Sequence, residues 1–508
     1  MFVSQSETRQ WAEFAAFPWL LPGCLLTETL RLVTLKHSSK ILPLLATASH
    51  QPPTNSLPPT QPRKQVFPMT SPSEFPAASR RAFLGSSAAA ATAAATVSAA
   101  AAPLSTGLWA AGSDLIRVGL VGVGGRGTGA AEQALNADPG TELVALADVF
   151  EDSVARGRRQ LSRMFNKDGQ KPRVTVDDAH CFVGFDGYKQ VIESSDVVLL
   201  ASTPHFRPQH LRACVEAGKH VFCEKPVAVD APGVRSVLES SEMARQKGLN
   251  LVSGLCWRYH PGKRATFEQI HSGTIGEITA MQCSYMTGGV WDPRRRREET
   301  KSEMEYQLRN WYYYTWLSGD FNVEQHIHSL DKMMWAMKDE APATISGSGG
   351  RQVRTDARYG NIFDHFDVVY TWANGVKAFA RCRHWPNCEN EVDDFIFGTK
   401  GRVDVMAHTI TDLAGKVIWK YDGPDGDMYQ IEHNELFAAI RAGKVINNGD
   451  YMSKSTLLAI AGRMAAYTGQ RLTWDAALNS KEDLSPKAYD WTDNPVPPVA
   501  IPGRTPFV

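Results

Sequence analysis

The chain has 508 residues, long enough for two or three domains, and its 43% hydrophobic and 21% charged content is that of an ordinary globular protein. Its 54 basic and 54 acidic residues cancel, so the charge balance offers no case for nucleic acid or an anionic membrane as partner. Eight cysteines are too few and too scattered for a disulfide scaffold, and none form a CxxC metal pair. Cys382 and Cys388 are close enough in sequence for an exported protein to pair them, on proximity alone.

Residues 1–113 read as a non-globular extension. Residues 51–76 are rich in Pro, Ser and Thr, which bury too little apolar surface to offset chain entropy. Ser79-Arg80-Arg81-Ala82-Phe83-Leu84, followed by the Ala-dominated stretch 88–102, resembles a twin-arginine export signal with a small-residue cleavage zone. This predicts engagement of the twin-arginine export machinery and a periplasmic or other extracytoplasmic location. The apolar stretch is too weak and short to span a bilayer, so no stable membrane anchor is expected. Such signals lie close to a start; Met69 stands at that distance from Arg80, and Met1 and Met69 are both candidate starts.

Residues 114–256 carry the α/β rhythm. The run 116–121 is a strand that enters Gly122-Val-Gly124-Gly125-Arg126-Gly127, and 130–137 continue as a helix. A second apolar run, 143–147, ends on Asp148. Strand, glycine turn, helix and spaced acid are what a dinucleotide-binding βαβ unit requires. Gly122 permits the tight turn, Gly124 lets the backbone approach a pyrophosphate, and Gly127 lets helix and strand pack closely. The helix N-terminus offers unpaired N–H groups to the phosphates, and Asp148 can accept from the ribose hydroxyls. Asp148 and Glu151 would repel a 2′-phosphate, which favours NAD over NADP; Arg156, Arg158 and Arg159 read as a solvated helix face. Further strands are expected at 196–201, 220–223 and 249–253, with helices at 209–217 and 231–247. The 220–223 strand delivers Glu224-Lys225-Pro226 at its C-terminal end, where ligands bind in open α/β sheets.

Residues 257–484 read differently. Strands at 279–286, 367–372, 376–381 and 402–406, with a hairpin turn at Asn374-Gly375, predict a large open-faced, mainly antiparallel sheet. Helices are expected at 430–442 and 453–468, giving an α+β substrate and oligomerisation domain. Residues 485–508 are Pro-rich and read as a surface arm. The expected fold class is thus α/β, a Rossmann domain followed by this α+β domain.

The glycine turn, Ala217-Gly-Lys-His-Val-Phe-Cys-Glu-Lys-Pro226 and Trp257-Arg258-Tyr259-His260-Pro261 together resemble the Gfo/Idh/MocA oxidoreductases over about residues 115–480. The resemblance implies hydride exchange between NAD(P) and a sugar, polyol or related carbohydrate, and a homo-oligomer. It also implies that the Lys225–Pro226 bond is cis, and that Glu324 and His328 occupy an Asp-x-x-x-His catalytic segment, with Glu in place of Asp. Asp331 falls at a position that supports that segment.

Lys225 is placed to hold a substrate hydroxyl or polarise a carbonyl beside the nicotinamide, and burial would lower its pKa for proton transfer. If 324–328 is helical, Glu324 and His328 share a face, and the carboxylate can orient the imidazole that takes the hydroxyl proton. Metal ligation by Glu324, His326 and His328 is an open alternative that lacks a further ligand, and satisfied core histidines are another. No metal is expected. The candidate cofactor set is Gly122, Gly124, Gly125, Arg126, Gly127, Asp148, Thr203, Glu224 and Lys225. For substrate the candidates are Arg258, Trp311, Tyr312 and His326; the aromatics 311–316 read equally as core, and Arg258 as an interdomain ion pair. The chemistry expected is NAD(P)-dependent oxidation of a CH–OH group with tightly bound cofactor. The alternative is an NAD-dependent glycoside hydrolase that oxidises a sugar hydroxyl transiently, with Tyr312 or His326 as its extra base.

Overall fold

The structure, a computed structural model, describes residues 114–508, so the twin-arginine run lies outside the described residues. The first layer alternates β1 (Ile116–Val121), α1 (Gly125–Ala137), β2 (Thr141–Asp148), α2 (Glu151–Phe165), β3 (Cys181–Val183), α3 (Gly187–Ser194), β4 (Val197–Leu200), α4 (Arg207–Glu216), β5 (His220–Cys223), α5 (Ala231–Gln246) and β6 (Leu251–Ser253). The strands form a parallel sheet in the order β3-β2-β1-β4-β5-β6. Period-two alternation splits their apolar residues between two faces. Val118, Leu120, Leu143, Leu146 and Leu199 pack on α1 and α2, whereas Val121, Ala145, Val198, Leu200 and Val221 pack on α3, α4 and α5. Burial on both faces is why these strands read as unbroken apolar runs.

After α6 (Pro261–His271) come β7 (Ile278–Thr287), α7 (Glu303–Arg309), α8 (Thr315–Ser318), α9 (Phe321–Glu324), α10 (Ile327–Ala336), β8 (Thr344–Gly350), β9 (His365–Thr371), β10 (Lys377–His384), β11 (Glu391–Gly398), β12 (Gly401–Asp404), β13 (Thr409–Asp412) and β14 (Val417–Lys420). They lead to α11 (Met428–Arg441), α12 (Gly449–Thr468), β15 (Leu472–Thr473) and α13 (Trp474–Leu478). The second sheet runs β14-β13-β12-β11-β7-β10-β9-β8-β15 and is antiparallel except where β7 meets β10 in parallel. Asn374-Gly375 makes the β9–β10 turn, with Gly375 at φ +89°. Ala378, Ala380 and Cys382 are buried in the shared core, while Lys377, Phe379 and Arg381 between them face outward, so one side of this sheet is open.

Two long helices return to the first layer. α11 lays Leu436, Phe437 and Ile440 on the face already covered by α1 and α2. α12 is buried along almost its whole length between the two sheets. Cys382 is buried and Cys388 exposed, and both are free thiols, so the pairing open in the sequence does not occur.

Candidate active site

The glycine turn divides into a packed half and an open half. A Cβ on Gly122, which sits at φ +94°, would lie 2.3 Å from the Ser202 nitrogen, and one on Gly127 would lie 1.9 Å from the Gly122 carbonyl oxygen. These two glycines let β1, β4 and α1 touch. At Gly124 and Gly125 nothing lies within 4 Å of the added atom, and no side chain caps the α1 N-terminus. The helix therefore presents free N–H groups to an open cradle, the donor set a pyrophosphate fits. Asp148 accepts from the Val123 N–H at 2.8 Å and the Phe150 N–H at 3.0 Å, which pins the turn to the tip of β2 and leaves lone pairs for a ribose. At the tip of β4 the buried Thr203 hydroxyl has no hydrogen-bond partner. These groups together fit a dinucleotide.

Arg126 departs from the expected role. Its guanidinium pairs with Glu224, with the buried Glu432 of α11 at 3.1 Å and with Gln133 at 2.8 Å, and lies over the Tyr429 ring. Two buried carboxylates need a cation more than a solvated phosphate does, so the arginine is spent on them. Burial raises the Glu432 carboxyl and the Arg126 charge opposes that shift. Nothing in the local sequence pointed to Glu432, which lies 306 residues from Arg126.

Lys225 follows β5 with a cis bond to Pro226, whose carbonyl accepts from the buried Arg207. The Lys225 ammonium reaches the Glu324 carboxylate at 3.0 Å and also donates to the Glu324 carbonyl. The expected Glu324–imidazole pair does not form. The helix is interrupted between α9 and α10 at Gln325–His326, where the His326 N–H bonds back to the Phe321 carbonyl, five residues earlier. The break leaves Glu324 and His328 off a single helical face, and the carboxylate goes to Lys225. His328 stays close enough for the Lys225 charge to act on it: burial, then Lys225 and Lys332, hold its pKa well below the ordinary value, so it is neutral. Its Nδ1 is buried without a partner.

Two substrate candidates are placed elsewhere. His326 is fully buried, with Nδ1 3.1 Å from Asn322 Oδ1 and Nε2 3.6 Å from Cys283 Sγ, a satisfied core histidine. Arg258 donates to both oxygens of Asp331 (2.8–3.1 Å) and to Asp339, and stacks on Tyr451. It is a buried, ion-paired strut whose guanidinium is given over mainly to two carboxylates, and Asp331 supports α10 through it and through Ser455. Trp311 packs on Trp291 and Tyr312 as part of an aromatic wall. The buried Tyr312 hydroxyl has no partner, and burial followed by the Glu324 charge raises its pKa far above the usual value. Tyr285 is raised by the same two causes. His384 stacks on the Tyr312 and Phe321 rings with both nitrogens unpartnered, and its register partner Thr287 also has a free buried hydroxyl. Tyr285, Thr287 and His384 were missed because strand alternation marks which face a residue takes, not which chemistry meets it. Among the described residues no three His, Cys, Asp or Glu side chains are grouped as a metal site.

Asp320 holds this segment in place. It sits at φ +77°, unusual for a non-glycine residue, and its carboxylate accepts from the Phe321 N–H, the Tyr467 hydroxyl and, at 2.8 Å, the Phe363 N–H. Asp320→Ala strands three buried donors and is expected to cost about 3–5 kcal/mol, read by urea unfolding. Asp320→Asn, which keeps an acceptor, should lose roughly half as much; equal losses would mean that the hydrogen bonds do not carry the effect.

Residues 116–254 match the description "Oxidoreductase family, NAD-binding Rossmann fold", and 264–404 match the GFO/IDH/MocA C-terminal domain. The inositol 2-dehydrogenase of Pseudomonas savastanoi pv. phaseolicola is 27% identical over 338 residues, 65% of this chain and 88% of that one. A glycosyl hydrolase family 109 protein of Streptomyces coelicolor is 29% identical over 231 residues, 42% of this chain and 46% of that one. The crystal structure of aldose-aldose oxidoreductase from Caulobacter crescentus, complexed with glycerol, superposes with a TM-score of 0.55 at 17% identity, covering 71% of this chain and 99% of that one.

Proposed function

Because the chain belongs to the Gfo/Idh/MocA family of NAD-binding oxidoreductases, we propose that it oxidises a secondary hydroxyl of a sugar or polyol with a tightly held NAD. The observation that carries this reading is the Lys225–Glu324 ion pair beside a neutral His328 at the C-terminal edge of the parallel sheet. NAD, when bound, supplies the hydride acceptor. Lys225 holds the reacting hydroxyl oxygen and stabilises the charge it gains as the carbonyl forms. His328, being neutral, accepts the hydroxyl proton. Glu324 positions the Lys225 ammonium. Tyr312 stays protonated and donates to a further hydroxyl of the substrate, and the unpartnered His384 and Thr287 suit a polyhydroxylated ligand.

NAD is favoured over NADP because Asp148, on which the Asp152 charge acts, would repel a 2′-phosphate, while Arg156 and Arg309 are paired with Asp152 and Arg158 with Asp178. The hydrolase alternative is weakened on this chain's own residues. Tyr312 resists ionisation, and His326 is fully buried with both ring nitrogens engaged by Asn322 and Cys283, which removes it as an external base. Export by the twin-arginine route rests on residues 79–102 alone. Homo-oligomerisation is proposed through the open sheet face, which exposes Phe379.

The test is absorbance at 340 nm of the purified chain with no added nucleotide, across inositols, aldoses and aldonates, followed by exchange into NAD or NADP. A lasting substrate-dependent rise, restored by NAD and not NADP, is expected. Cleavage of glycosides without a lasting rise would replace this reading with the hydrolase.

A further inference from the structure

The last residues of the chain form a strap fastened at several points. Glu482 pairs with the buried Arg463, the Leu484 N–H donates to Asp230 at 3.1 Å, Asn494 donates to Gln307 at 3.0 Å, and the Gly503 N–H donates to the Thr468 carbonyl at 2.9 Å. Between the second and third fastenings the strap crosses the C-terminal tips of β2, β3 and β4. There the Trp491 ring lies 5.8 Å from Phe150 and 5.2 Å from Phe185, which follow β2 and β3. The Tyr489 ring lies 5.7 Å from Phe206, after β4, and its hydroxyl is 2.8 Å from His205 Nε2. Arg309 closes the same corner, stacked 3.6 Å above Phe150 and paired with Asp152 at 2.8 Å.

A dinucleotide lies along the C-terminal edge of such a sheet, with its pyrophosphate at the α1 N-terminus. Asp148 at the β2 tip marks the adenosine ribose, so the purine falls toward the tips of β2 and β3. That is where the strap sets its rings. Trp491 and Tyr489 remain 43% and 39% exposed although the chain on either side is pinned, so their apolar surface is held at this corner without being consumed by the core.

We propose that the strap is the outer wall of the adenosine half of the cofactor site, with Trp491 facing the purine, and that it slows NAD release. This rests on the NAD reading above and adds residues that the glycine motif does not reach. Aromatic contact with a base is sequence-tolerant and strong enough to change residence time severalfold or more. A strap that must be displaced adds a second brake, which suits an enzyme that keeps its cofactor through turnover.

The test uses the full chain, with NADH release followed by its own emission after displacement by excess NAD. Trp491→Ala is expected to release NADH about tenfold faster and to weaken ADP-ribose binding to match, with binding of nicotinamide mononucleotide unchanged and Trp491→Phe restoring slow release. Unchanged or slower release from Trp491→Ala would overturn the proposal; the slower case would mean that the ring fills the purine's own place. Equal weakening of both half-ligands, with a lowered melting temperature of the free protein, would also overturn it by assigning Trp491 to folding. If the unaltered chain binds neither NADH nor ADP-ribose, the NAD reading itself fails, a separate result.

Discussion

Lys225→Met is expected to lower kcat by roughly 10³-fold, with NAD still bound, because it removes the ammonium that pairs with Glu324 and that the proposed mechanism assigns to the reacting oxygen. His328→Asn should lose about 10²- to 10⁴-fold by removing the proton acceptor. The two groups act on one hydroxyl, so the double variant should be little worse than the poorer single one. Multiplying losses would place them in separate steps. The pH profile supplies a second check. His328 is held neutral far below the ordinary histidine range, so kcat/KM for oxidation should show no limb near 6.5. A limb there that disappears in His328→Asn would show that the imidazole titrates freely and is not buried as described. Glu324→Asp, which shortens the carboxylate by one methylene, should loosen the 3.0 Å pair with Lys225 and lower kcat more than it raises KM.

The second large effect is on stability in acid. Burial is the leading cause that lowers His205 and His260 to about 4 and His210, His326, His408 and His433 to about 3. Each folded-state value lies below the unfolded value of roughly 6.5, so below that pH the unfolded chain binds protons that the folded chain refuses. The stability from these groups is fully present above about pH 6.5 and is lost as the pH falls toward 4. One such histidine accounts for up to about 3 kcal/mol at pH 4, and several together exceed the net stability of a typical domain. Urea unfolding from pH 8 to 5 should therefore be flat down to about 6.5 and then fall by several kcal/mol per pH unit. A flat profile to pH 5 would mean that these rings are protonated in the folded state.

The parallel layer was legible because its determinants are local. Unbroken apolar runs, glycine just past a helix, and a glycine turn leading from strand to helix are written within a few residues, and β1 and β5 match their expected ranges. The open sheet was read only in part. β8 is Thr-Ile-Ser-Gly-Ser-Gly-Gly and β3 is three residues long, so neither carries the alternation or length that marks a strand, and both exist through pairing with neighbours.

The site divides along the same line. The chain's own order of residues determined that a dinucleotide cradle ends at Asp148, that Lys225 stands at a strand's C-terminal tip, and that a histidine-bearing segment follows an aromatic cluster. Which charges meet was decided by tertiary structure. Arg258 finds Asp331 across 73 residues, Lys225 finds Glu324 across 99, and Arg126 finds Glu432 across 306. Each of these residue types reads the same in sequence whether it serves a ligand or a buried partner. The difference lies in burial, since a charge removed from water must be met by whichever opposite charge the packing brings within reach, and only the assembled layers determine which one that is.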